Sequence, residues 1–563
     1  MVAVLLLALL GCKPDPVDPK AGVETDLDTD PPDTDVEPDD TDPPDDTDDT
    51  DDTSPPAPTS TLVASGPVLC ADPGDRRDKG SFLRRTTSAI AATHMHLEGA
   101  NSLLADLTGD GHLDAVLITQ TQALLYADLA NLMDSEPLVL ATAPWESDVR
   151  GLFGATAFDF EDDGDLDLLI TGRGVRDWML RNDGTGFTDI TETAGLGGYE
   201  DHHSTGASLS DIDGDGDLDL FIGGHGFVDE SQETPGGFTP ADPSRLYRRD
   251  GVRFVDISDQ LPQSVHDGFT FLGGWLDADD DGDDDLYLIN DFGAVREPCR
   301  LVWNDGGTFR PDDGAAGVDA DIAGMGLGIG DLDGDGVEEI AVPAWNRNAL
   351  YQRQSGLWFD QALAKGYWPA GNQSVGWGSE MFDVDNDGLL DLTTAYGYLD
   401  TRFGGDNEEF QDDALYVQSS DGALRDRALA AGLDDRAPHR SMTPGDINED
   451  GWLDIVKVGL DGVNRFYFSR CGEEGFLSID LRQPAPNVYA VGATVRVFSG
   501  STQWMRRVRA GGTGYGSGQP YQLHIGTGAA TNIDRLVVEW PNGQVEEWRD
   551  LAPRQNLKIT RVP

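Results

Sequence analysis

Positive charge is scarce in this 563-residue chain: 39 Lys and Arg stand against 103 Asp and Glu, a formal net charge of −64. A surface that acidic repels the phosphates of DNA and RNA and anionic lipid headgroups, which excludes nucleic acid as a partner and favours cations. Apolar length is also missing at the start of the chain, where the stretch Met1 to Leu10 is too short to span a bilayer. Neither G-x-S-x-G, H-E-x-x-H nor C-x-x-C occurs, so no motif points to a serine hydrolase, a zinc peptidase or a dithiol oxidoreductase. The abundant carboxylate pairs are no substitute, because most of them fall inside one repeated pattern.

The N-terminus reads as an export signal. Leu9-Leu10-Gly11-Cys12 resembles the lipobox of bacterial lipoproteins, although no Lys or Arg precedes the apolar run. The resemblance implies a signal peptide over residues 1–12, acylation of Cys12, export across the inner membrane, and anchoring in the cell envelope at the outer membrane or cell surface. Residues 13–60 are nearly all Asp, Thr and Pro, with nothing to bury and mutually repelling charges, so a disordered, extended tether is expected there. Its reach is on the order of 100 Å. Three further cysteines remain. Cys70 precedes the first repeat and Cys471 follows the last, so a bond between them would staple a ring and leave Cys299 free.

One nonapeptide recurs seven times, with oxygen-bearing side chains at positions 1, 3, 5 and 9 and glycine at position 6. Positions 1, 3, 5, 7 and 9 are Asp106, Thr108, Asp110, His112 and Asp114 in the first copy. They are Asp159, Glu161, Asp163, Asp165 and Asp167 in the second, and Asp211, Asp213, Asp215, Asp217 and Asp219 in the third. The fourth has Asp277, Asp279, Asp281, Asp283 and Asp285; the fifth has Asp331, Asp333, Asp335, Val337 and Glu339. The sixth has Asp383, Asp385, Asp387, Leu389 and Asp391, and the last Asp446, Asn448, Asp450, Trp452 and Asp454. Calcium takes six to eight hard oxygen ligands in a flexible shell. Side chains at 1, 3, 5 and 9 with the carbonyl at 7 wrap one such ion in a tight loop, and glycine at 6 allows the sharp turn. Up to seven calcium ions are therefore expected.

The flanks choose the architecture. An EF-hand needs helices on both sides and a Glu at position 12, whereas here position 9 runs into strand-like segments such as Ala115–Ile118 and Leu220–Ile222. A dockerin-type module would show two copies, and thrombospondin-like calcium repeats would be spaced more tightly. Upstream of each loop lie small residues, such as Gly154-Ala155-Thr156-Ala157, suited to strands converging on a narrow axis; downstream come apolar-aromatic strands and turns. Four strands per unit and seven units predict an all-β fold: a seven-bladed β-propeller with calcium loops over residues 61–474, followed by a small β-rich C-terminal domain. These residues resemble the FG-GAP/VCBS repeat family. From 475 to 563, Val491–Val497, the Gly-rich segment 511–518 and Leu523–Gly528 resemble the ASPIC/UnbV module, a pairing similar to cartilage acidic protein-like proteins. Arg482, Arg496, Arg506, Arg507, Arg509 and Lys558 make that end basic, for docking on the acidic propeller or for meeting an anionic ligand.

His94, His96, His202, His203, His266 and His439 each fall shortly before a loop, a frame position that would put imidazoles of four blades around the opposite mouth of the channel. The function expected is a non-catalytic, calcium-binding adhesion module for a protein or glycan, monomeric, touching the membrane only through Cys12. The competing reading is a calcium-dependent, lyase-like polysaccharide enzyme, with Trp275 and Trp377 as sugar platforms.

Overall fold

The computed structural model describes residues 60–562, apart from 69–81, 87–99, 128, 130–136, 144–149, 200, 227–239, 370–373, 398–410, 434, 461–462 and 517. The expected signal peptide, Cys12 and most of the tether lie outside the described residues. Seven four-stranded antiparallel sheets follow one another along the chain. Their innermost strands are Asn101–Ala105, Gly151–Phe158, Ser204–Ser210, Phe269–Leu276, Gly328–Gly330, Gly376–Phe382 and His439–Gly445. The second strands, such as Asp114–Ile118 and Asp219–Gly224, are buried at every residue. They read as unbroken apolar runs because a neighbouring blade covers each face.

Neighbouring innermost strands are stitched by small hydroxyl and amide side chains. Asn101 Nδ2 donates to the Phe153 carbonyl at 2.7 Å, Thr156 Oγ1 to Ala207 at 3.0 Å and Ser208 Oγ to Gly273 at 2.7 Å. The circle closes where Ser102 Oγ meets Ser441 Oγ and Thr443 Oγ1 at 3.0 and 2.8 Å, joining the first blade to the seventh. The outer strand of that last blade comes from the other end of the propeller: Phe82–Thr86 pairs antiparallel with Arg465–Ser469. The last blade is thus completed by a strand contributed from before the first repeat, which ties the two ends of the propeller together. Cys471, just beyond this seam, is disulfide-bonded, and Cys299 is free and buried. Cys70 lies outside the described residues.

The junctions between blades are bridged in two alternating ways. Asn182, Asn304 and Gln418 reach from their own blades to the position-2 carbonyls of Leu107, Ile212 and Leu332 at 2.8, 2.9 and 2.8 Å. At the other junctions the position-4 side chain reaches forward: Asp162 pairs with Arg249, Asp280 with Arg353, and Glu449 with His112, while Asn386 donates to the Gly451 carbonyl. Asn304 is buried and also donates to Asp284 O at 3.1 Å. Asn304→Ala strands two buried carbonyls and is expected to cost about 1–3 kcal/mol by urea denaturation.

The C-terminal module is built from two four-stranded sheets around Val495, Val497, Leu536, Val538, Ile479 and Ile559, a core continuous with that of the second and third blades. One correction arises here. Thr61–Ala64, assigned from sequence to the propeller, pairs antiparallel with Gln555–Thr560 of this module. Ser60, assigned to the tether, donates from its backbone N–H to Glu546 at 3.1 Å. A lone short strand pairing some 490 residues away carries no local signal of which sheet it joins.

Candidate metal centres of the blade loops

All seven nonapeptides adopt one backbone conformation. Glycine at position 6 has φ between +84° and +98° in each: Gly111, Gly164, Gly216, Gly282, Gly336, Gly388 and Gly451. The carboxylate at position 1 accepts from that glycine's N–H, at 2.9 Å for Asp106 and 2.7 Å for Asp383. Position 5 accepts from the N–H of position 7, as from His112, Asp165, Val337 and Trp452 at 2.9–3.0 Å. Position 9 folds back to accept from the N–H of position 2, and in five copies its second oxygen takes an N–H of the third strand: Asn182 to Asp167, Arg249 to Asp219, Asn304 to Asp285, Gln418 to Asp391 and Ser469 to Asp454. The loop is therefore locked to its blade through the last ligand position. Side chains at position 7 take no common direction, for His112 is exposed and Trp452 buried, which leaves only the backbone of that position in common.

Position 4 escaped the sequence reading. It also has positive φ in every copy, at Gly109, Asp162, Gly214, Asp280, Gly334, Asn386 and Glu449. The available signal was its restriction to Gly, Asp and Asn in all copies but the last, the residues that best tolerate a left-handed backbone.

In four loops, oxygens of three acidic side chains lie within 4.8 Å of one another: Asp211/Asp213/Asp219, Asp277/Asp279/Asp281, Asp331/Asp333/Glu339 and Asp383/Asp385/Asp391. Buried carboxylate oxygens without a hydrogen-bond partner include Asp114 Oδ1, Glu161 Oε2, Asp211 Oδ1, Asp213 Oδ1, Asp277 Oδ1 and Asp331 Oδ1. Burial, followed by crowding among neighbouring carboxylates, pushes Asp219, Asp383 and Asp446 up to about 8 and Glu339 to about 9, and holds Asp391 and Asp454 well above the usual range. Orphaned, converging oxygens on hard ligands fit a divalent cation such as calcium and little else.

A further acidic group behaves differently. His439 lies 2.7 Å from Asp413 and 3.3 Å from Asp435, but Lys457 Nζ reaches the same two carboxylates at 2.7 and 2.9 Å. The ammonium supplies the cation, so this is an ion-pair network tying the sixth blade to the seventh. The other rim histidines also have separate partners: His203 binds Asp242, His266 Nε2 meets the Ser258 carbonyl, and His202 packs on Tyr199. His94 and His96 lie outside the described residues. The four described histidines thus make no common site. Trp275 and Trp377 are 5% and 1% exposed, packed in the core and unable to serve as sugar platforms.

The basic C-terminal module docks on the loop face. Arg507 pairs with Asp284 and Arg509 with Glu338, each carboxylate adjacent to a position-9 ligand. Tyr489 Oη donates to Gly164 O at 2.9 Å, His524 Nε2 lies 2.7 Å from Asn386 Oδ1, and Phe476 packs over Gly451. From this module the segment 510–516 enters the axial channel. Ala510 and Gly511 pair with Leu209 and Ser208 of the third blade, and Gly514 exchanges two backbone hydrogen bonds with Leu327 at 2.8 and 3.0 Å. Tyr515 sits among Phe153, Trp377 and Phe271, with ring centroids 5.0, 5.2 and 5.5 Å away.

A family model described as FG-GAP-like repeat matches residues 159–222, and one described as ASPIC and UnbV matches residues 483–562. The chain thus carries the repeat and the C-terminal module that its sequence suggested. No curated protein matches it. Among solved structures, the chain is similar to BBS1N in a complex with ARL6DN soaked with mercury, at 10% identity and a TM-score of 0.39, over 70% of this chain and 98% of that one. It is also similar to an Agrocybe aegerita lectin that recognises non-reducing terminal N-acetylglucosamine, at 17% identity and a TM-score of 0.34, over 59% and 79%.

Proposed function

We propose that this protein is a calcium-loaded, non-catalytic binding module of the cell envelope, held by a lipid on Cys12 and presenting its propeller to a protein or glycan. The observation that carries the reading is the set of seven identically folded loops, four of which bring the oxygens of three acidic side chains together and five of which hold a buried carboxylate oxygen without a partner. Seven bound ions turn each acidic corner from a repulsive cluster into a crosslink, and the ring becomes a rigid platform. With the C-terminal module docked on the loop face and its segment 510–516 in the channel, the surfaces most open to a partner are the opposite rim and the outer blade edges.

Metal analysis of the purified protein tests the first half: about seven calcium ions per chain, one per loop. Asp213, at position 3 of the third loop, is half-buried and holds an orphaned oxygen. Asp213→Asn is expected to remove one ion from that count while leaving the chelated protein's stability unchanged. A wild-type count near zero after dialysis against micromolar calcium would end the reading. Capture on glycan arrays and by envelope proteins, with and without chelator, tests the second half; binding indifferent to chelation would separate the partner site from the ions.

A further inference from the structure

Between the C-terminal module and the loop face of the fifth to seventh blades lies a cavity of about 70 Å³, lined among others by Arg506, Arg507, Arg509, Glu338, Gln519 and His524. A buried water needs roughly 10–15 Å³ by this measure, so the space holds a few waters or one small tetrahedral ion. Two of its arginines have carboxylate partners, Arg507 in Asp284 and Arg509 in Glu338, although Arg509 Nε is buried without one. Arg506 has none. Its Nη1 donates to the Met505 carbonyl at 2.7 Å, and its Nη2 is buried with no partner. The carboxylates of Asp383, Asp331 and Glu338 act on it only through space. A guanidinium has five donors in a planar fork and keeps its charge at any physiological pH, so a buried one normally meets an oxyanion directly.

His524 also lines the cavity, and an amide beside it sets its tautomer. Asn386 Nδ2 donates to the Gly451 carbonyl at 2.8 Å, so its Oδ1 faces His524 and Nε2–H of the imidazole donates to it. His524 is held neutral, far below its usual range, by burial and then by Arg506. Its Nδ1 is therefore a lone pair, buried and unpartnered. The residues lining the cavity thus include a cationic group with an unpartnered buried donor and an imidazole with an unpartnered buried acceptor.

We propose that this cavity binds a small oxyanion carrying one proton, of the hydrogen phosphate type: an anionic oxygen on Arg506 and the acidic O–H donated to His524 Nδ1. Sulfate is a poorer ligand because it has no proton to give at neutral pH and would set an oxygen against the Nδ1 lone pair.

Equilibrium dialysis of inorganic phosphate against the full chain at neutral pH, with sulfate as competitor at matched ionic strength, tests the site. One phosphate per chain is expected, displaced poorly by sulfate. Arg506→Gln is expected to weaken it about tenfold or more, the loss of one charge-assisted contact. Because that variant can also loosen the module, the wild-type competition is decisive alone: no saturable phosphate, or sulfate competing equally, overturns the proposal and leaves water as the occupant. Asp213→Asn separates this from the cation reading, since it removes a loop ion and should leave phosphate binding intact; loss of phosphate there would place the anion on the metal and overturn the Arg506 site.

Discussion

Stripped of divalent cations by a chelator, the protein is expected to melt at least about 10 °C below its calcium-loaded form, with the gap widening between pH 7 and pH 9. The direction follows from the raised carboxyl groups. Burial and then mutual crowding lift Asp219 and Asp446 to about 8 and Glu339 to about 9, against ordinary values near 4 in the unfolded chain. The metal-free fold binds protons that the unfolded chain does not. That contribution is complete below the unfolded value and disappears as pH climbs through the folded ones, so chelated protein loses stability toward pH 9. A bound cation takes the place of those protons and flattens the dependence. Below about pH 6.5 two histidines add a smaller contribution of opposite sign, because His225 and His524 are held neutral by burial while their unfolded counterparts charge. Glu380, outside the loops, is also raised to about 8 by burial, so it is the difference between chelated and loaded protein from pH 7 to 9 that reports on the loops. Calorimetry of chelated and loaded protein across it should show diverging melting temperatures; parallel curves, or a chelated form that stabilises with pH, would mean the loops are not cation cages.

The repeats were legible because each loop closes on itself. Its ligands lie within nine residues, its turn is announced by glycine at position 6, and the strands around it are contiguous apolar runs such as Leu168–Ile170. The unread features all join distant parts of the chain. Phe82–Thr86 has the look of any short strand, and only its pairing with Arg465–Ser469 makes it the seal of the ring. Thr61–Ala64 was misassigned for the same reason. Arg507 and Arg509 counted as net basic charge, yet which carboxylates they meet, Asp284 and Glu338, depends on how two sheets stack. The histidine rim failed on side-chain direction: sequence frame placed those residues before inner strands, but Asp242, Asp413 and Asp435 claim His203 and His439.

Removing the aromatic ring of the inserted segment, Tyr515→Ala, is expected to cost about 3–5 kcal/mol, because it leaves a cavity among Phe153, Trp377 and Phe271. The same segment can be attacked from the propeller side. A Cβ on Gly154 would overlap the Gly516 carbonyl, and one on Gly326 would overlap the Trp377 carbonyl and crowd the Gly514 carbonyl. Gly154 lies in a strand and does not need a left-handed backbone, so alanine there should on its own be neutral or slightly favourable. Any loss in Gly154→Ala must therefore come from the inserted segment. Both variants should expose residues 510–516 to hydrogen exchange and proteolysis while the calcium content stays unchanged. Because they disrupt one contact from two sides, the double variant should lose less than the sum of the two. Additive losses, or a Gly154→Ala protein as stable and protected as wild type, would show that the inserted segment does not fill the axis. The innermost strands would then owe their glycines and alanines to crowding among the blades alone.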